Sequence, residues 1–271
     1  MADPELKWWH VRWRLAWRAI SRLAIVSGKI IVPLCVLAVI GFGIIYLMQP
    51  WLFAKQMSKS ERLNIIPAEL PTRSESPLSN ATIDVDGLSF QLPREEVIRT
   101  LQGDSIRLVR FRNGGELWIN DSSLGAGVLD AVLNNKDVMR LFNQGQIRSK
   151  FELMQAAMYA TPDQAKWWRF RSASNQRVEY LLFAKSLVLT ESIPSAHPFS
   201  RRPIYMISAT RFHGFQIGNP DTHPFEADLE LFDQNDRYLN FTITGPEGHG
   251  QVLTQTEINA LVASIRPPGM R

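Results

Sequence analysis

The sequence predicts an α+β protein: a single N-terminal transmembrane helix, then one globular domain whose mostly antiparallel sheet packs against helices. Three observations predict it. Residues 30–54 hold no charged side chain. Residues 225–231 alternate apolar and acidic side chains with the period of a strand. Thr254 and Glu257, three apart ahead of an apolar run, are the signature of a capped terminal helix.

The chain opens on KWWHVRWRLAWRAISR, residues 7–22. On a helical wheel Trp9, Trp13, Ala16, Trp17 and Ile20 share one arc, while Arg14, Arg18 and Arg22 lie opposite and Arg12 sits at the border. Indole rings are half wet at the headgroup boundary, and guanidinium groups meet lipid phosphates there. Residues 1–29 therefore read as a basic amphipathic cytoplasmic segment, with Trp9, Arg12, Trp13, Arg14, Trp17, Arg18 and Arg22 at the membrane surface. An amphipathic helix packed on a partner subunit is the structural alternative. A nucleic-acid arm fits poorly, because stacking aromatics there alternate with polar loops or sit on sheets.

Residues 30–54 span roughly 37 Å as a helix, more than the ~30 Å hydrocarbon core. Ile30 to Met48 is the crossing part, with Tyr46 and Trp51 as interfacial belt residues and Pro33 in the first turn, where its missing N–H costs little. No small-x-small cleavage site follows in QPWLFAKQ, so a retained transmembrane helix is expected rather than a signal peptide. Arg12, Arg14, Arg18, Arg22 and Lys29 precede it, against Lys55, Lys59 and Arg62 after it. That bias puts the N-terminus in the cytoplasm, and the expected location is the cell inner membrane, single-pass, with the C-terminal domain periplasmic.

Residues 1–29 hold six basic and two acidic side chains, and the remaining 242 hold 24 of each. The basic character thus belongs to the membrane-proximal segment, and no nucleic-acid partner is expected for the domain. The one cysteine, Cys35, lies inside the apolar run, so the domain makes no disulfide.

Residues 55–80 are polar and interrupted by Pro67, Pro71 and Pro77, and read as a linker or loosely packed arm in which Asn64-Ile65-Ile66 docks locally. The domain is expected over 81–271. ATIDV-DG-LSFQLP is a hairpin turned at Asp86-Gly87. REEVIRTL (94–101) is expected as a short helix, its acids meeting the dipole. SIRLVRFR-NGG-ELWIN is a second hairpin. Residues 124–170 look helical, Thr161-Pro162 opening the helix DQAKWWRF. RVEYLLFAKSLVLTE (177–191) and PIYMISATRFHGFQIG (203–218) are expected as long strands, FEADLELFD and RYLNFTIT as a strand pair around the turn DQND. The last helix begins at Thr254 and buries Ile258, Leu261, Val262 and Ile265.

GLSFQLP, the pair FEADLELFD…YLNFTIT and the terminal TEINALVASIRP together resemble the PsbP-like fold, over residues 82–266. The resemblance implies an antiparallel sheet between helices, and a binding or assembly factor rather than an enzyme.

Candidates for chemistry are sparse. His10, His197, His213, His223 and His249 lack zinc-ligand spacing; His-Pro-Phe at 197–199 and 223–225 reads as a turn before a strand. Asp221 and His223 have no G-x-S-x-G nucleophile to serve. GPEGHGQ (245–251) lacks the Lys-Ser/Thr of a phosphate loop. Trp167-Trp168 is expected with one ring in the core and one half exposed. No catalytic, cofactor-binding or metal residue is assigned. Two functions remain: a membrane-anchored extracytoplasmic interaction or assembly module, an accessory subunit of an envelope complex, or a membrane-tethered hydrolase of envelope material. The partners expected are anionic lipid headgroups and proteins of the membrane or periplasm.

Overall fold

A computed structural model of the chain describes residues 34–79, 82–85, 88–94, 97–102, 106–111, 114–120, 124–143, 147–191, 202–222, 226–245 and 253–266. The chain divides into two compact units, Met1–Gln49 and Pro50–Arg271.

Helix α1 is Leu34–Met57; its residues 34–49 are the described part of the first unit, and from Pro50 onward it belongs to the second. An 18-residue window of α1 has a mean hydropathy of 1.9 with 6% of it buried. By length and composition α1 can cross a membrane.

The second unit is built on one eight-stranded sheet. Its strands are β1 (Ala68–Glu69), β4 (Val97–Gln102), β5 (Ile106–Phe111), β6 (Glu116–Asn120), β7 (Ile204–Ser208), β8 (Phe212–Ile217), β9 (Ala227–Asp233) and β10 (Tyr238–Thr244). Their order is β1-β7-β8-β9-β10-β6-β5-β4, and only the β1–β7 pair is parallel. β2 (Thr82–Val85) and β3 (Leu88–Gln91) pair as the expected hairpin, with Val85 opposite Leu88, and form a sheet of their own. The helices are α2 (Leu124–Asn134), α3 (Lys136–Asn143), α4 (Lys150–Tyr159), α5 (Ala173–Glu191) and α6 (Gln255–Ser264).

Strand alternation sends residues to two cores. Leu229, Leu231, Phe241 and Leu117 pack with Phe90 of β3, with Ile258 and Leu261 of α6, and with Ile265 just after it. Phe215, Ile217 and Phe232 point the other way, into a cluster with Leu153, Met158, Leu182 and Val188 of α4 and α5. The sheet is therefore the middle of three layers, covered on both faces. Gly214 is required there: a Cβ would stand 1.9 Å from the Glu230 carbonyl oxygen. α6 starts as expected, Glu257 N–H donating to Thr254 Oγ1 at 3.2 Å and Thr254 N–H to Glu257 Oε2 at 2.7 Å. Arg94 grips the same carboxylate with two bonds, at 2.7 and 3.0 Å. Burial pushes the Glu257 carboxyl up, but Arg94 and the Thr254 N–H outweigh it and hold its pKa below the ordinary value.

Four expected elements are corrected. Residues 177–191 are not a strand but most of α5, because Val178, Leu181, Leu182, Lys185 and Val188 bury at helical spacing. REEVIRTL does not form a helix; Val97–Gln102 is edge strand β4, paired with β5 through a register shift between Val97 and Arg99. Its Val-Ile-Arg-Thr core carries three β-branched side chains, which favour the strand. Residues 203–218 turn at Ala209–Arg211 and become β7 and β8. DQAKWWRF makes two 3-10 turns, Pro162–Gln164 and Trp167–Arg169, and the Thr161 hydroxyl bonds the Asp163 carboxylate instead of capping a helix.

Residues 58–79 hold a 3-10 turn at Glu61–Asn64 with Leu63 buried, then β1, then an arm tied to α6. Asn259 Nδ2 donates to the Thr72 and Ser74 carbonyls at 2.9 and 3.0 Å, and Ser76 N–H to the Thr256 carbonyl at 3.1 Å.

Candidate interaction site

At the β1 end of the sheet a groove of about 370 Å³ opens between β7 and α6. Its cause is the shortness of β1, which pairs only with Tyr205 and Met206. The Ala209 N–H reaches inward to the Phe212 carbonyl at 2.8 Å. In an antiparallel ladder the adjacent residue faces the other way, so the Ser208 N–H and C=O lie on the edge that β1 has left. Ile207, Ile258 and Val262 make an apolar floor, and Glu69, Arg73 and Asn259 furnish the rim. A second recess of about 240 Å³ shares Ala209, Thr210, Val262 and Ala263 with it and adds Arg211 and Arg266. The two adjoining recesses present an open strand edge on one wall, an apolar floor and three guanidinium groups, those of Arg73, Arg211 and Arg266. Arg73 and Glu69 approach to 3.6 Å with both side chains largely exposed, an ion pair that contributes little. Such a groove suits an extended peptide, whose main chain would complete the ladder while alternate side chains meet the floor.

The remaining buried polar groups serve the fold. Lys185 is fully buried and its ammonium donates to three main-chain carbonyls: Leu63 at 3.1 Å, Ile65 at 2.6 Å and Ala160 at 2.9 Å. Burial pulls its pKa down to about 8. It ties the segment that leaves α1 to the end of α4 and the middle of α5. On the side of β9 and β10 that faces α4 and α5, Asp228 accepts from Asn240 Nδ2 at 3.0 Å and Thr242 Oγ1 at 2.6 Å, and Glu230 accepts from the Tyr238 hydroxyl. Arg202 Nη2 donates to Glu226 Oε2 at 2.8 Å. On the other side of the sheet the Gln216 and Gln255 amides exchange two bonds, at 2.7 and 2.8 Å, joining β8 to α6.

Trp9, Arg12, Trp13, Arg14, Trp17, Arg18 and Arg22, expected at the membrane surface, lie outside the described residues, as do His10, His197, His223, His249 and most of GPEGHGQ. His213 is half-buried with its ring 4.0 Å from that of Phe151. Asp221 Oδ1 accepts the Gln255 N–H at the start of α6, a structural use. Among the described residues no group of three His, Cys, Asp or Glu is placed to hold a metal ion. Trp167 and Trp168 depart from expectation: neither enters the core, and their exposures are 55% and 56%. Sequence reasoning missed Lys185, whose flanks LLFA and SLVL were the available signal, and it missed the groove, which depends on where β1 stops.

No protein-family model matches the chain, and neither a curated protein nor a solved structure shows significant similarity to it. The functional reading therefore rests on the residues alone.

Proposed function

We propose that this protein is a membrane-anchored, extracytoplasmic interaction or assembly module, an accessory subunit of an envelope complex that binds an extended segment of a protein partner. The observation that carries the reading is the β7 edge left open at Ser208 beside the α6 groove. An uncovered strand edge is a template for pairing, and proteins usually blunt or cover it unless it is used. α1 supports the anchoring, being long and apolar enough to span. The excess of basic residues before it favours a cytoplasmic N-terminus in a bacterial inner membrane, with the domain periplasmic. Trp51, Phe53 and Ala54, at the end of α1, pack into the helical-layer core of the second unit.

The test is a peptide library selected against residues 50–271. Bound peptides should slow hydrogen exchange at Ser208 and Thr210, and Ser208→Pro should abolish binding. That substitution removes the outward N–H while the inward ladder to β8 remains, as proline permits on an edge. Selected peptides that protect another surface, or that bind Ser208→Pro equally, would refute the reading.

A further inference from the structure

Residues 166–171, Lys-Trp-Trp-Arg-Phe-Arg, place three large aromatic side chains in the open: Trp167, Trp168 and Phe170 are 55%, 56% and 48% exposed. Their display is built by the fold. Asn175, fully buried in the first turns of α5, accepts the Lys166 N–H through Oδ1 at 3.0 Å and donates through Nδ2 to the Lys166 carbonyl at 2.7 Å and the Phe170 carbonyl at 2.8 Å. One side chain thus pins both ends of the loop. Phe170 takes φ 43°, a conformation that a bulky L-residue adopts only under constraint. The two indoles meet edge to face with centroids 6.0 Å apart. Three cations interleave with the rings: Lys166, whose ammonium also donates to the Asp163 carbonyl at 2.7 Å, Arg169, which reaches Ser174 Oγ at 3.4 Å, and Arg171.

Pinned aromatic rings held open to water leave apolar surface hydrated at a cost to the free domain, so the arrangement asks for an occupant. Trp and Phe alternating with Lys and Arg match the headgroup zone of a bilayer, where the ring body is apolar, the indole N–H is wet and the cations meet phosphates. The place in the fold agrees. Ala165, directly before the loop, and Ala160 belong to the same core cluster as Trp51, Phe53 and Ala54 at the end of α1. Lys185 joins the Leu63 and Ile65 carbonyls, just after α1, to the Ala160 carbonyl, just before the loop.

We infer that the 166–171 loop is a second membrane contact: it seats Trp167, Trp168 and Phe170 in the anionic headgroup layer. The inference rests on the reading of α1 as a membrane helix, and the experiment separates the two. The full chain carrying Cys35→Ser is placed in nanodiscs of zwitterionic and anionic lipid, three to one. A polarity-sensitive fluorophore is attached at Trp168→Cys, at Trp167→Cys as an independent loop probe, at Ile44→Cys in α1, and at Gln234→Cys in the exposed β9–β10 turn. Quenching by lipids spin-labelled near the headgroup or deep in the chain is then measured.

The loop probes should be quenched by the shallow label at least twofold more than the Gln234→Cys probe, and the Ile44→Cys probe by the deep label. Removing the anionic lipid, or combining Lys166→Glu with Arg169→Glu, should cut the loop quenching at least twofold. Quenching at Ile44→Cys with loop probes no different from Gln234→Cys overturns the loop contact and leaves the anchor standing. Loop probes shielded from aqueous iodide yet untouched by lipid quenchers assign the aromatics to a protein partner and also overturn it. No quenching at Ile44→Cys overturns the anchor and the loop contact together.

Discussion

Replacing Lys185 with methionine tests the buried cation that joins the segment after α1 to the helical layer. Methionine matches the stem in length and removes only the ammonium. In the folded chain burial pulls the Lys185 pKa from 10.5 to about 8. The sign follows from proton counts. Below pH 8 the amine is charged both folded and unfolded, and the full cost of burying the charge is present. Between about pH 8 and 10.5 the folded chain releases the proton while the unfolded chain keeps it, so stability rises with pH. At about 1.4 kcal/mol for each tenfold change in proton affinity, that rise amounts to about 3 kcal/mol. The methionine variant lacks it. The variant also leaves the Leu63, Ile65 and Ala160 carbonyls without this donor, at roughly 1 kcal/mol each. At pH 7 loss and relief nearly cancel, as they do where apolar side chains replace buried charge. From pH 7 to 10.5 that relief disappears, so the stability of Lys185→Met relative to the parent should fall by about 3 kcal/mol. Urea unfolding of residues 50–271 with and without the substitution, followed by circular dichroism at both pH values, reads this difference, and titrations shared by both chains cancel. A stability gap that stays constant between pH 7 and 10.5 would show that Lys185 carries no lowered pKa and would refute the reasoning.

Removing residues 50–80 should cost about 4 kcal/mol or more relative to residues 50–271, because buried Ala54 and Leu63, β1 and two of the Lys185 acceptors go with them; an unchanged urea midpoint would contradict it. Glu257, held below its ordinary pKa, contributes stability that is fully present above that value and disappears as pH falls through its folded pKa, so Glu257→Gln should flatten the acid limb of the stability curve below about pH 4.5. A reporter fused after Arg271 that works only when exported should be active, and activity of a cytoplasm-only reporter there would reverse the orientation. A peptide of residues 5–26 should turn helical with blue-shifted tryptophan emission on anionic vesicles and much less on neutral ones; indifference to lipid charge would move Trp9, Trp13 and Trp17 from lipid to a protein surface.

What the sequence determined by itself is local. The β2–β3 and β5–β6 hairpins, the α6 capping box and the apolar run of α1 each rest on residues a few positions apart, so turn chemistry, capping and hydropathy suffice to read them. The alternation of 225–231 was equally legible, but its consequence was not: Asp228 and Glu230 are as buried as Leu229 because helices cover the second face of the sheet. Residues 177–191 fit two periods on paper, and only the packing of Val178, Leu181, Lys185 and Val188 against α4 and the sheet selected the helix. The tertiary structure also decided the candidate site. The groove exists because β1, more than 130 positions earlier than β7, stops after two paired residues. Lys185 is buried because carbonyls from Leu63, Ile65 and Ala160 converge on it, and Trp167 and Trp168 are exposed because Asn175 pins their loop. Each depends on groups brought together by the path of the chain, and spacing along a sequence carries no record of which distant backbone atoms will meet.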